Sequence, residues 1–243
     1  MRVVFNVTND AEAGLVDLAT SALRREGVPV LVLAGDAVRR VRWPRGVQVA
    51  RVKEVPPAGL PAACKLLALA AELGDDVLFC SADTLLLDVV PVAEFMEDGG
   101  VMGVEYGGFC EPAHWLWFCS AECARVLLEE AQEELRRVVC GVAAGGGGKG
   151  SLGAAEAAGG LSAGAVAFRL AAAMGLRTKM VRAGDGVRVF LPEDFSASGE
   201  VEVPFAVHCG CPEFVRAYPR ADVAIRRAMA RAAGGFPSTK KQN

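Results

Sequence analysis

Asp83 is the residue of this chain best placed to do chemistry. It follows the apolar run Val77-Leu78-Phe79-Cys80, which is preceded by the acidic pair Asp75 and Asp76. A short run with β-branched and aromatic residues reads as a strand covered on both faces. Ser81 and Ala82 come next, then Asp83, then a second apolar run from Leu85 to Leu87. In an open α/β sheet, ligands bind outside the carboxyl ends of the strands. A hard oxygen ligand at that point suits Mg2+ or Mn2+ held against a diphosphate. Ser81, two residues earlier, can donate or accept a hydrogen bond but brings no charge.

Two other constellations invite chemistry and do not carry it as well. Cys110, His114, Cys119 and Cys123 form C-x3-H-x4-C-x3-C, a set of zinc-ligand types. The C-x2-C knuckle is missing and Trp115 to Phe118 reads as a buried strand, so a zinc-dependent interaction domain is the weaker reading. Gly145 to Gly148 with Lys149 resembles a phosphate-binding loop only in composition. The P-loop spacing needs Gly at 143 and Ser or Thr at 150, where Ala143 and Gly150 stand. A mobile, lid-like loop is the simpler account.

The elements that must hold Asp83 follow from periodicity. Arg2 to Thr8 reads as a strand and Asp10 as the N-cap of a helix from about Ala11 to Arg25, with Leu15, Leu18, Ala19 and Ala22 on one stripe. Strands follow at Val28–Leu33 and Val47–Val52, a loop at Pro56–Pro61, and a helix at Ala62–Leu73 closed by Gly74. After the Phe79 strand come a short helix at Pro91–Met96 and strands at Val101–Glu105 and His114–Phe118. An amphipathic helix at Ala121–Val138 has Glu122, Glu129, Glu130, Glu133, Glu134, Arg136 and Arg137 on its wet side. A helix at Gly164–Met174, strands at Thr178–Val181, Val187–Leu191 and Glu202–Val207, and a helix at Phe214–Ala232 complete the reading. Alternating strands and helices predict an α/β/α sandwich with a mostly parallel central sheet.

Composition bounds the function. The 243 residues are 52% hydrophobic and 23% charged, a globular balance. A net charge of −3 gives no general nucleic-acid signal. No apolar run approaches the roughly 18 residues of a bilayer span. The amino-terminal MRVVFNVTND turns polar too soon for a signal peptide, so a cytoplasmic location is expected. From Pro212 onward Arg216, Arg220, Arg226, Arg227, Arg231, Lys240 and Lys241 oppose only Glu213 and Asp222. That basic helix and tail suit a weak contact with an anionic membrane surface or nucleic acid, although a solvated face with snorkelling arginines explains it as well.

The stretch Asp83-Thr84-Leu85-Leu86-Leu87 resembles the second half of the Asp-x-Asp metal motif of GT-A type nucleotide-sugar glycosyltransferases, particularly those of glycosyltransferase family 8. Ser81 stands where that family has its first Asp. Val203 to Pro212 resembles a second family segment, a late strand ending in a metal-binding His followed by Gly and Lys. His208 and Gly210 match; no lysine follows before Lys240, and Arg216 or Arg220 would supply the positive charge. The resemblance implies a GT-A-like single domain over 1–235, with a nucleotide-binding half at about 1–105 and an acceptor half at about 106–235, ahead of a disordered tail at 236–243. It implies Asp83 and His208 as ligands of Mn2+ or Mg2+, with Thr8, Asn9, Lys65, Ser81, Asp83 and Gly210 at the nucleotide sugar.

Plainer accounts stand beside these assignments. Thr8 and Asn9 would meet base and ribose, but turn chemistry explains the same residues. Lys65, expected at a helix start facing the diphosphate, also reads as a solvated lysine, and His208 as a core histidine at a strand end. Glu156 falls where the family has an acidic residue near the acceptor, and ordinary helix composition explains it too. Tyr106, Phe109, His114, Trp115 and Trp117 offer a stacking face for a sugar, or core packing.

The resemblance implies transfer of a sugar from a nucleotide-diphosphate donor, a UDP-sugar by preference, to a glycan, protein or small-molecule acceptor. A degenerate, non-catalytic sugar-nucleotide binder is the alternative that Ser81 favours. A nucleotidyltransferase on a similar fold would carry a basic glycine-rich loop after the first strand, which NVTNDAEAG is not.

Overall fold

Strand β1 (Arg2–Val7) is the spine of the molecule. Val3, Phe5 and Val7 enter one apolar layer and Val4 the other, the period of two that a pleated strand imposes. The computed structural model describes residues 1–39, 41–53, 58–82, 84–86, 89–106, 109–144, 161–182, 187–189 and 206–208.

After β1 come α1 (Asp10–Ala13), α2 (Val16–Arg25), β2 (Val30–Ala34), β3 (Val47–Arg51), α3 (Gly59–Leu73) and β4 (Val77–Ser81). Then follow β5 (Thr84–Leu86), α4 (Val90–Phe95), β6 (Val101–Tyr106), β7 (Phe109–Cys119) and α5 (Ala121–Ala144). The last described elements are α6 (Ala163–Ala173), β8 (Thr178–Arg182), β9 (Val187–Val189) and β10 (Ala206–His208). Seven strands form one sheet in the order β3-β2-β1-β4-β7-β6-β8. Only β7 runs against its neighbours; the rest are parallel. A separate sheet has the order β5-β10-β9.

Helices cover both faces. Val16, Ala19 and Leu23 of α2 and Val92 of α4 share a layer with Leu78 and Cys80 of β4. On the other face α3, α5 and α6 pack over Val77, Phe79 and Trp117, with the Phe79 and Trp117 rings stacked at 4.2 Å. This is the α/β/α sandwich with a mostly parallel sheet that the alternation predicts.

Several local expectations change. Asn9, not Asp10, caps the first helix: its Oδ1 accepts the Glu12 N–H at 3.0 Å, while Asp10 accepts the Arg39 N–H at 2.9 Å. The helix is broken in two at Gly14 and Leu15, where the Leu15 N–H turns to the Glu12 carbonyl three residues back. Glycine's poor helix propensity permits that tightening. Helix α3 begins at Gly59, inside the expected loop, because Pro61 sits in its first turn where a missing N–H is harmless. Glu134 was expected on the wet side of α5; it is fully buried, its carboxylate 3.0 Å from the half-exposed Arg137 guanidinium. The glycine-rich loop, Glu156, the arginines from 216 onward, the last helix and the tail lie outside the described residues.

Candidate functional site

The site is built where β1, β2 and β4 end together. Asn6 of β1 is in register with Ser81 of β4, and the Gly35 N–H beyond β2 donates to the Val7 carbonyl at 2.9 Å. The carboxyl edge therefore brings the Thr8–Asn9 turn beside the Ser81–Ala82 turn, at the edge where α/β sheets bind ligands.

From Ser81 the chain crosses to the small sheet. Ser81 is half-buried and Thr84 fully buried. Their hydroxyls share a hydrogen bond of 2.9 Å across the turn. Thr84 opens β5, whose antiparallel partner β10 sets His208 directly opposite it, Val207 opposite Leu85 and Ala206 opposite Leu86. The backbone of His208 thus lies across from the residue after Asp83. Asp83 and Gly210 themselves lie outside the described residues, and of His208 only the backbone is described.

The Thr8–Asn9 turn is organised by a residue that the sequence reading missed. The Glu12 carboxylate accepts from the Thr8 N–H at 2.6 Å, from the Thr8 hydroxyl at 2.9 Å and from the Asn9 amide at 2.9 Å. With the Asn9 cap this is a variant of the capping box. Its signal, Asn9-x-x-Glu12, was in the sequence. The turn-chemistry account of Thr8 and Asn9 therefore holds, and both residues remain exposed at the edge.

Lys65 is not at a helix start. It lies six residues into α3, about 9 Å along the axis from the amino terminus, and is exposed. The phosphate-at-helix-terminus argument does not reach it.

For a divalent ion, the donor types of Asp83 and His208 are suitable, oxygen and imidazole nitrogen, and the β5–β10 register brings their chain positions together. Ser81 adds no charge, and its hydroxyl is engaged with Thr84. Cys80 is buried in the core, and burial pushes its thiol well above the usual range. The same holds for Cys119, raised by burial first and then by Cys123 and Asp76. Among the described residues no three His, Cys, Asp or Glu side chains gather into a metal site. Trp117 of the aromatic patch is a core residue, 2% exposed; the side chains of its other members are not described.

No protein-family model and no curated protein matches the sequence. Solved structures do resemble the fold. The galactosyltransferase LgtC in complex with donor and acceptor sugar analogs aligns with a TM-score of 0.51 at 13% identity, over 100% of this chain and 98% of that one. An active-site mutant of LgtC aligns with a TM-score of 0.52 at 12% identity, with the same coverage. The chain has a GT-A fold like theirs.

Proposed function

We propose that this protein is a glycosyltransferase that moves a sugar from a nucleotide-diphosphate donor, preferentially a UDP-sugar, to a glycan, protein or small-molecule acceptor. Asp83 and His208 hold Mn2+ or Mg2+ at the diphosphate. When bound, the ion neutralises charge developing on the leaving nucleotide. Thr8 and Asn9, on their turn organised by Glu12, meet the base and ribose. Ser81 and Gly210 line the diphosphate. The work is cytoplasmic, where the free thiols of Cys64 and Cys140 stay reduced.

The observation that supports this reading best is the pairing of His208 with Thr84. Two segments about 120 residues apart, each bearing or flanking a residue of metal-ligand type, pair as the facing strands β5 and β10. The GT-A fold makes the carboxyl edge of the main sheet the natural donor site.

Calorimetric titration with UDP and with GDP, each with and without Mn2+, tests it. Metal-dependent binding that disappears in Asp83→Ala is the expected result. Binding without any need for metal favours the second reading, a degenerate sugar-nucleotide binder, which the neutral Ser81 motivates. Absence of binding to either nucleotide refutes both.

A further inference from the structure

We infer that Glu12 is a specificity residue at the nucleoside end of the site: its carboxylate accepts a hydrogen bond from a ribose hydroxyl, so the protein selects ribonucleotides over their deoxy forms. The inference rests on the reading of the Thr8–Asn9 turn as the part of the site that meets base and ribose. That turn follows β1 at the carboxyl edge of the main sheet, where Thr8 and Asn9 are exposed and Glu12 is half-buried. What such a turn can read depends on the donors and acceptors it leaves open.

The side-chain donors are spent within the turn. Thr8 brings one hydroxyl hydrogen and Asn9 two amide hydrogens. The Thr8 hydroxyl donates to the Glu12 carboxylate at 2.9 Å. The Asn9 amide nitrogen donates to Glu12 Oε1 at 2.9 Å and to Thr8 Oγ1 at 3.2 Å. The Thr8 N–H is taken as well, by Glu12 Oε2 at 2.6 Å. Turning the amide over would set its NH2 against the Glu12 N–H, which Asn9 Oδ1 accepts at 3.0 Å. The side chains therefore offer a ligand acceptors only, and the strongest of them is an anion. A carboxylate has about four lone-pair sites, so the three donors that reach Glu12 leave about one open. An anionic acceptor repels a diphosphate and the carbonyl oxygens of a base. Uracil presents its ring N–H between two carbonyls, whereas ribose presents neighbouring hydroxyls that can donate freely. The hydroxyls suit this turn best.

The test is calorimetric titration of the full-length chain with UDP, 2′-deoxy-UDP and 3′-deoxy-UDP, all with Mn2+ present. It is repeated for Glu12→Ala, Glu12→Gln and Asn9→Ala. The parent is expected to bind UDP about tenfold more tightly than at least one deoxy form, the low end for a hydrogen bond to a charged group. In Glu12→Ala that preference should disappear. In Glu12→Gln, which keeps the shape and loses the charge, it should shrink. A residue that only braced the turn would behave differently, since its loss would weaken UDP and both deoxy forms by the same factor.

If the parent binds UDP and both deoxy forms alike, or its preference survives in Glu12→Ala, the inference is refuted and the nucleotide site stands. Equal weakening of all three ligands in Glu12→Ala leaves Glu12 a brace and also refutes it. Tighter UDP binding in Glu12→Ala refutes it in another way, because the carboxylate is then occupying donors that the nucleotide needs. Titrations with GDP and 2′-deoxy-GDP separate ribose from base. A preference for GDP that is indifferent to the 2′-hydroxyl and is lost in Glu12→Ala assigns the carboxylate to the guanine N–H groups and overturns the ribose assignment. If Glu12→Ala and Asn9→Ala both leave UDP binding untouched, the turn does not meet the nucleoside; if the parent binds neither UDP nor GDP, the whole site reading falls. The inference falls with either. Should Glu12→Ala fail to fold by circular dichroism, Glu12→Gln decides alone.

Discussion

Gly164→Ala is a substitution whose sign the structure decides. In an ordinary helix the change stabilises, by up to about 1 kcal/mol. At position 164 an added Cβ would lie 2.7 Å from Trp117 Cγ, 2.8 Å from its Cδ1 and 3.0 Å from its Cβ. These atoms are the root of the indole, not a flexible tip. Trp117 cannot give way easily, being 2% exposed and stacked on Phe79 of β4. To reach ordinary contact, α6 must retreat by about 0.7 Å, which forfeits a sizeable part of its dispersion contacts. Overpacking of this kind costs about 1–3 kcal/mol. Taking the middle of that range, about 2 kcal/mol, against a helix gain of about 1 kcal/mol leaves a net loss of about 1 kcal/mol, a Tm lower by about 2–4 °C for a chain of this size. Urea denaturation followed by far-ultraviolet circular dichroism, with a thermal melt beside it, measures both. A variant as stable as the parent, or more stable, refutes the close approach of α6 to Trp117.

Other consequences can be read the same way. Gly100→Ala should cost more than Gly164→Ala in the same denaturation assay, because Gly100 has φ +111° and its added Cβ would lie 2.4 Å from the Arg177 carbonyl oxygen. Glu12→Ala should lower stability by about 1 kcal/mol through loss of the carboxylate's bonds to Thr8 and Asn9; an unchanged melting temperature would speak against the Thr8–Asn9–Glu12 network. Cys80 and Cys119 have thiols raised above the usual range, chiefly by burial, so both should resist iodoacetamide at pH 8 while exposed Cys140 is alkylated, as mass spectrometry of the labelled peptides would report. Because those folded pKa values lie above the unfolded one, the associated stability is full below about pH 8.5. It is lost as pH rises toward the folded values. Urea midpoints at pH 7 and pH 10 should therefore fall in that order, and a rise would contradict it.

What was legible in the sequence was whatever local periodicity encodes. The Val77–Cys80 run announced β4 because a strand buried on both faces has no polar alternation to hide it. Gly74 marked the end of α3 through its left-handed cap at φ 66°. Pro61 misled because proline punctuates loops and first helical turns alike. Asp10 and Asn9 are both good caps, and only the tertiary bond from the Arg39 N–H to Asp10 separated them. Glu134 looked wet because heptad arithmetic cannot see what covers a helix from elsewhere in the chain. The candidate site is legible as two segments and not as one place. A three-residue strand such as β10 has too little pattern to declare its partner, and the register of Thr84 with His208 is a fact of topology.

That register also has a consequence for biosynthesis. β1, β2, β3 and β4 come from the first third of the chain, and the parallel core they form can assemble early. The pair of Thr84 with His208 cannot close until His208 has left the ribosome, about 120 residues after Thr84. At about 5–20 residues per second that is a delay of roughly 6–24 seconds. The nascent chain therefore carries Thr84 for that interval without the strand that pairs with it.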